Sequence, residues 1–262
     1  MQFRILDYNY AFQENVSITA SSENAEFPAS NLRNSFRSKV WRTAQGVTSA
    51  TLVIDLGSIE AIDSVALFFD PLRDIPLTEN AVLYVQANPT NLWTSPAVNI
   101  ALTIDFDLMA ATQFWATDQN YRYWRITLLD TTNPDGFLEI AKVVLGKGTQ
   151  LTRVPSNGFS YGMRDLSKVD ATPYGHEYSD LYPVAKSLDF NIDAMPYVDL
   201  KTLQNIFRRV GRSVPIVVAL DPLEERFDKE QFLIYGKLKE QFTAKHVNGQ
   251  YFGHVLSVHE VF

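Results

Sequence analysis

The chain has 262 residues, 46% of them hydrophobic and 20% charged, which is enough apolar material to bury one large core or two ordinary ones. Net charge is −7, and the first 150 residues carry 10 Lys/Arg against 16 Asp/Glu, so the clustered cations that a phosphate backbone needs are missing and nucleic acid is excluded as a partner. The chain contains no cysteine, which removes disulfides and thiolate zinc sites.

Residues 1–150 read as a first domain made of short strands. Val-Ser-Ile-Thr-Ala-Ser over 16–21 alternates apolar and polar residues and predicts a first strand. A loop follows from Phe27-Pro-Ala-Ser-Asn-Leu to Trp41-Arg42, where Trp41 is expected to pack under the end of a sandwich. Thr51–Leu56 and Ile62–Phe69 predict two strands joined by a turn at 57–60, and Val82–Ala87 predicts another, stopped by Asn88-Pro89. Residues 90–120 carry weak signals and are expected to form mainly long loops, with one added strand over 100–105. Residues 121–129 and 137–145 then close the domain across an Asn133-Pro-Asp-Gly136 turn.

Residues 151–183 are dense in Gly, Pro, Ser, Asp and Tyr, and Pro155-Ser-Asn-Gly158 looks like an interdomain crossing. That composition predicts an extended arm whose Tyr161, Tyr174, Tyr178 and Tyr182 face a partner. Residues 184–262 predict a second β domain. Leu188, Phe190 and Ile192 alternate on one face of a strand. Leu200, Leu203, Phe207 and Val210 are spaced for a helix, with Asp199 as N-cap and Gly211 at its end. Strands are expected over 214–220, 232–238 and 242–247, with a hairpin at Asn248-Gly249 that places His246 opposite Tyr251. The fold class is therefore mainly β: an antiparallel sandwich at 1–150 and a β domain with one packed helix at 184–262.

Five pieces occur in a telling order: Trp41-Arg42, Ile54-Asp-Leu-Gly57, Ile62-Asp-Ser-Val-Ala-Leu67, Arg122-Tyr-Trp-Arg-Ile126 and Glu139-Ile-Ala-Lys-Val-Val-Leu-Gly146. Together they resemble the galactose-binding-like (discoidin, coagulation factor 5/8 type C) jelly roll, over roughly residues 14 to 148. The resemblance implies a non-catalytic binding module. It also raises a structural calcium in the loop holding Asn31, Asn34 and Ser38, which is not favoured because that loop has no Asp. The later pieces Leu200-Lys-Thr-Leu203, Gly211, Pro215-Ile-Val-Val218, Asp221-Pro222 and Tyr235-Gly236 resemble the compact ring domains of long-tailed phage tips and baseplates. That resemblance implies a virion structural protein assembled in host cytoplasm, with copies of itself and other tail proteins as partners. The start, Met1-Gln-Phe-Arg-Ile-Leu-Asp-Tyr8, lacks a signal-peptide pattern, and no run of about 18 apolar residues occurs, so neither classical secretion nor a helical membrane span is expected.

Catalytic signatures are missing. There is no Gly-x-Ser-x-Gly, P-loop, His-Glu-x-x-His or Gly-x-Gly-x-x-Gly. The paired carboxylates Asp105/Asp107, Asp189/Asp193 and Glu224/Glu225 read as solvated loop residues rather than a glycosidase pair, and His176, His246, His254 and His259 read as surface or contact residues rather than metal ligands. No cofactor is expected. If the sandwich touches a cell-surface glycan, aromatic faces with adjoining guanidinium donors would do it, and Trp41, Arg42, Arg73, Trp93 and Trp115 are the candidates. The alternative to a tail-tip role is a carbohydrate-binding module adhering to a host surface polysaccharide.

Overall fold

Nearly every β-branched and aromatic run pairs into an antiparallel ladder in the computed structural model, which describes residues 3–75, 77–152, 159–171, 173–220, 232–239 and 241–262. The predicted stops and pairs at Pro155–Gly158, Asp221-Pro222 and Glu224/Glu225 lie outside the described residues. In chain order the strands are β1 (Phe3–Leu6), β2 (Ser17–Ala20), β3 (Trp41–Arg42), β4 (Ser49–Phe68), β5 (Val82–Asn88), β6 (Val98–Leu102), β7 (Ile104–Asp105), β8 (Ala110–Leu129), β9 (Glu139–Ile140) and β10 (Lys142–Gly146). They continue as β11 (Phe159–Asp165), β12 (Lys168–Ala171), β13 (Glu177–Asp180), β14 (Val184–Pro196), β15 (Ile216–Leu220), β16 (Leu233–Leu238), β17 (Ala244–Asn248) and β18 (Tyr251–Glu260), with one helix, α1 (Tyr197–Val210). Among the described residues no helix is long and apolar enough to cross a membrane.

The chain divides into two compact units, Tyr8–Gly148 and Thr149–Val261 joined by the N-terminal segment through Asp7. The first is a jelly-roll sandwich made by folding one sheet over itself. Its strand order is β10-β4-β8-β5-β6, with β2 added to β4 and β7 to β8. The two halves expected on either side of a turn at 57–60 are instead one continuous strand, β4, interrupted by a bulge. Asp55 pairs with Tyr123 and Glu60 with Tyr121, so five steps on β4 match two on β8. This odd surplus reverses which β8 parity faces the inward residues of β4, which stay even-numbered through Ile62. Leu52, Ile54, Leu56 and Ile62 point into the core, and past a second irregularity between Ile62 and Ser64 the odd-numbered Val65 and Leu67 point into the same core. Gly57 sits in the bulge at φ +77°, where a side chain would be strained. The opposite surplus occurs between Ile62/Gln119 and Ser64/Phe114, on β8. Ile126 and Leu128 complete the core, each 1% exposed. Residues 90–120, expected as loops, mostly pair: they form β6, β7 and the first half of β8.

The second unit has strand order β1-β15-β16-β18-β14-β11, with β17 on β18. Residues 3–6, read as part of the sandwich domain, pair with β15 here. The arm is also partly sheet: β11 pairs along β14 from Phe159↔Phe190 to Asp165↔Val184, and β12 with β13 forms a separate hairpin. Helix α1 buries Leu200, Leu203, Ile206 and Val210 against Leu188, Phe190, Ile192, Leu256 and Val258. The helix begins earlier than predicted. Pro196 is the N-cap, and Asp199 lies in the first turn, where it accepts from Thr152 N at 3.2 Å and Thr152 Oγ1 at 2.7 Å. Gly211 ends the helix at φ +53°, its N–H on Phe207 O. The β17–β18 hairpin is present with a different register: Asn248 pairs with Tyr251, and His246 faces Phe252 rather than Tyr251 because a bulge intervenes.

Candidate functional site

The loops before β3, after β4 and before β9 bring four charged side chains together. Arg42 and Glu139 are cross-strand partners on β3 and β9. Arg42 donates through Nε to Glu139 Oε2 at 2.8 Å, and Nη2 lies 2.6 Å from the same oxygen. Its guanidinium is held between two phenyl rings, 4.3 Å from the centroid of Phe27 and 4.1 Å from that of Phe137. Arg73 pairs with Asp70 at 3.1 Å (Nε to Oδ2), and both act electrostatically on Glu139. Burial raises the Glu139 carboxyl above its ordinary value; Arg42 and Arg73 pull it back, and Asp70 pushes it up. Glu139 and Asp70 are 3% exposed, whereas the Arg73 side chain is 45% exposed. Two cations and two carboxylates cancel, so this pole is polar but close to neutral.

Of the five predicted contact residues, the structure joins Arg42 and Arg73 here and separates the other three. Trp41 is fully buried in the sandwich core, its Nε1 on Ser22 O at 3.1 Å, and it has no face for a ligand. Trp115 packs partly buried against the core beside Trp124, with ring centroids 6.0 Å apart. Trp93 lies over Arg125, 4.6 Å from the guanidinium carbon, on the outer side of the β8–β5 ladder. Phe27, Phe137, Asp70 and Glu139 were missed. Their only sequence signal was their position in turn-rich segments, since nothing local says that loops about 100 residues apart converge.

The loop raised for calcium does not fit that ion. Lys142 is completely buried, and its Nζ donates to Asn31 O at 3.1 Å and Lys39 O at 3.3 Å. Arg37, also buried, donates to Phe69 O through Nε at 3.0 Å and Nη2 at 2.8 Å. Carbonyls that a cation there would need are already engaged by an ammonium, and a second positive charge stands nearby. The Asn34 carboxamide is spent on its own turn, accepting from Phe36 N. Burial, with Arg37 adding to it, lowers Lys142 to about 7.

Among the described residues no three His, Asp or Glu side chains group to hold a metal. His246 Nε2 contacts Gly249 O at 2.9 Å, and His254 Nδ1 contacts Thr243 O at 2.9 Å with its ring 4.5 Å from Phe242. Burial lowers the His254 pKa. A groove of about 470 Å³ is lined by Asp193, Gln241, Thr243, Lys245, Val247, Gly253, His254 and Val255. It offers one carboxylate, whereas glycoside hydrolysis needs two facing each other.

No family model matches the sequence. No curated protein matches it either. Several solved structures are similar. The family 32 CBM from C. perfringens NanJ in complex with galactose is 16% identical and has a TM-score of 0.43, covering 56% of this chain and 100% of that one. A Streptococcus pneumoniae fucose binding module is 14% identical at a TM-score of 0.43, covering 53% of this chain and 94% of that one. The lectin domain of lectinolysin complexed with Lewis B antigen is 17% identical at a TM-score of 0.44, covering 54% of this chain and 98% of that one. At such identities and scores these likenesses assign no ligand to this chain.

Proposed function

We propose that the chain is a non-catalytic binding protein whose sandwich unit holds a neutral glycan at the pole formed by Arg42, Arg73, Asp70 and Glu139. One observation carries the reading: two carboxylates and two guanidiniums, balanced in charge, sit beside the half-buried rings of Phe27 and Phe137. A pyranose asks for that mixture, hydrogen-bonding groups for its hydroxyls and an apolar ring for its C–H face. Charge balance favours a neutral sugar, because an ionic ligand would face one like charge for each opposite one. Arg73, held through Nε and with its side chain 45% exposed, has terminal nitrogens without a partner among the described residues and so offers them to hydroxyls. Titration calorimetry of the whole chain with galactose, fucose and N-acetylglucosamine tests this. Binding to one of them is expected, about tenfold weaker in Arg73→Ala. Absence of heat with every neutral sugar at millimolar concentration would overturn it.

The second reading is a structural role in a tailed-phage tip, within a ring of copies. It is favoured by the paired strands β12 and β13, every position of which is exposed, and by Val169, Tyr174, Tyr178 and Leu181 in solvent on and beside them. An assembling surface satisfies apolar side chains and strand edges in this way. Light scattering should then give a closed oligomer, with cleavage between 159 and 183 suppressed on assembly. A monomer that resists protease throughout counts against it.

A further inference from the structure

We propose a second binding site, on the outer face of the β8–β5 ladder around Arg125 and Trp93, that takes a carboxylated glycan. It is independent of the neutral pole described above and differs from it in charge.

Arg125 lies between Trp124 and Ile126, both 1% exposed in the core, so its own side chain leaves the opposite face of the sheet. There it is fixed from two directions. Its Nε donates to Gln86 Oε1 at 2.6 Å, and its guanidinium stacks on the Trp93 indole at 4.6 Å. Each support is itself held. Thr127 Oγ1 donates to the same Gln86 oxygen at 3.3 Å, and Gln86 Nε2 donates to Asn99 Oδ1 at 3.0 Å. The indole Nε1 donates to Asn91 Oδ1 at 2.7 Å. The fork is therefore pre-oriented, and its terminal nitrogens have no partner among the described residues.

Among the described residues no carboxylate pairs with this cation. Across the sheet its neighbours are Val53 and Gln86, and Tyr123 and Thr127 flank it on β8. Asp55, diagonally placed on β4, is spent on Arg122 in a two-pronged pair at 2.6 and 2.8 Å. Burial lowers the Arg125 pKa with no charge opposing the effect. A partly desolvated guanidinium without a counterion is costly unless something supplies one, and its planar fork matches a carboxylate held by two parallel hydrogen bonds. The surrounding groups choose the rest of the ligand. Tyr84, Asn88 and Asn99 share the face, giving a ring and, since Asn88 Nδ2 already donates to Leu92 O and Asn99 Oδ1 accepts from Gln86, the Asn88 oxygen and the Asn99 amino group for a pyranose and its hydroxyls. An acidic sugar such as a uronic acid satisfies both halves.

The test is calorimetry on the full chain with trigalacturonic acid, its trimethyl ester and sodium acetate. The acid should bind, weaken as salt rises, and exceed the ester about tenfold or more. Acetate should bind far more weakly than the acid, since it lacks the ring. Arg125→Gln should lose about tenfold to a hundredfold for the acid, and Arg125→Lys should recover only part of that, having charge without the fork. Equal affinity for acid and ester overturns the proposal on the wild-type protein alone, whether or not a variant folds. Acetate equal to the acid overturns the glycan assignment. These ligands are distinct from the neutral sugars that test the pole, so either site can fail without the other.

Discussion

Lys142 should make the sandwich unit more stable as pH rises above neutrality, the reverse of what a paired surface lysine does. The ammonium is fully buried, meets only the carbonyls of Asn31 and Lys39 among the described residues, and shares its surroundings with the Arg37 guanidinium. Its folded pKa is about 7 against 10.5 for an ordinary lysine. Between those values the unfolded chain holds a proton that the folded one has released, so unfolding free energy rises with pH. One proton is worth about 1.36 kcal/mol per pH unit, so from pH 7.5 to 9.5 the gain approaches about 2.5 kcal/mol. Below neutrality both states hold the proton and this dependence vanishes. Lys142→Met keeps the stem and removes the titration. The assay is urea unfolding followed by tryptophan fluorescence at a series of pH values. All four tryptophans, 41, 93, 115 and 124, lie in this unit, so the signal reports it selectively. The stability of wild type minus Lys142→Met should climb by about 2.5 kcal/mol over that range. Parallel pH curves for the two proteins, or a difference that falls with pH, would refute the burial of a low-pKa amine.

Arg42→Ala should destabilise the same unit by about 2–4 kcal/mol, because it leaves Glu139 buried without its partner and empties the space between two phenyl rings; a shift of the urea midpoint measures it. Gly236→Ala should cost about 2–3 kcal/mol or more, since a Cβ there would sit 2.3 Å from His259 O on the neighbouring strand, and backbone cannot step aside. A fall in the melting temperature of the second unit by circular dichroism checks this. Asp199→Ala should cost about 1–3 kcal/mol by stripping Thr152 of both its contacts to a buried carboxylate, with Asp199→Asn recovering part of it in the same melt.

The strands and the helix were legible because their signals are local. Alternation places Leu188, Phe190 and Ile192 on one face whatever lies across from them, and all three are buried as expected. Gly136 and Gly249 both carry the positive φ that their turns require. The six core positions Ile54, Leu56, Val65, Leu67, Ile126 and Leu128 do converge in one cluster. The site was harder to read because its members are distant in sequence. Trp41 and Arg42 are adjacent, yet alternation sends one into the core and the other to the pole, and only the pairing of β3 with β9 reveals that Arg42 meets Glu139. Trp93 reads in sequence as a sugar platform, but the Arg125 guanidinium that stacks on it comes from more than 30 residues away and leaves no local sign.

What the amino-acid order determined by itself is the mainly β character, most strand positions, the one helix and the absence of cysteine chemistry, since propensity and period act within a few residues. Tertiary structure alone decided that β4 runs on through its bulge, that β1 joins the second sheet rather than the sandwich, and that Lys142 is buried. A lysine between Ala141 and Val143 carries no mark of burial. The carbonyls that hold it come from a loop more than 100 residues earlier, and only folding brings them within hydrogen-bonding reach.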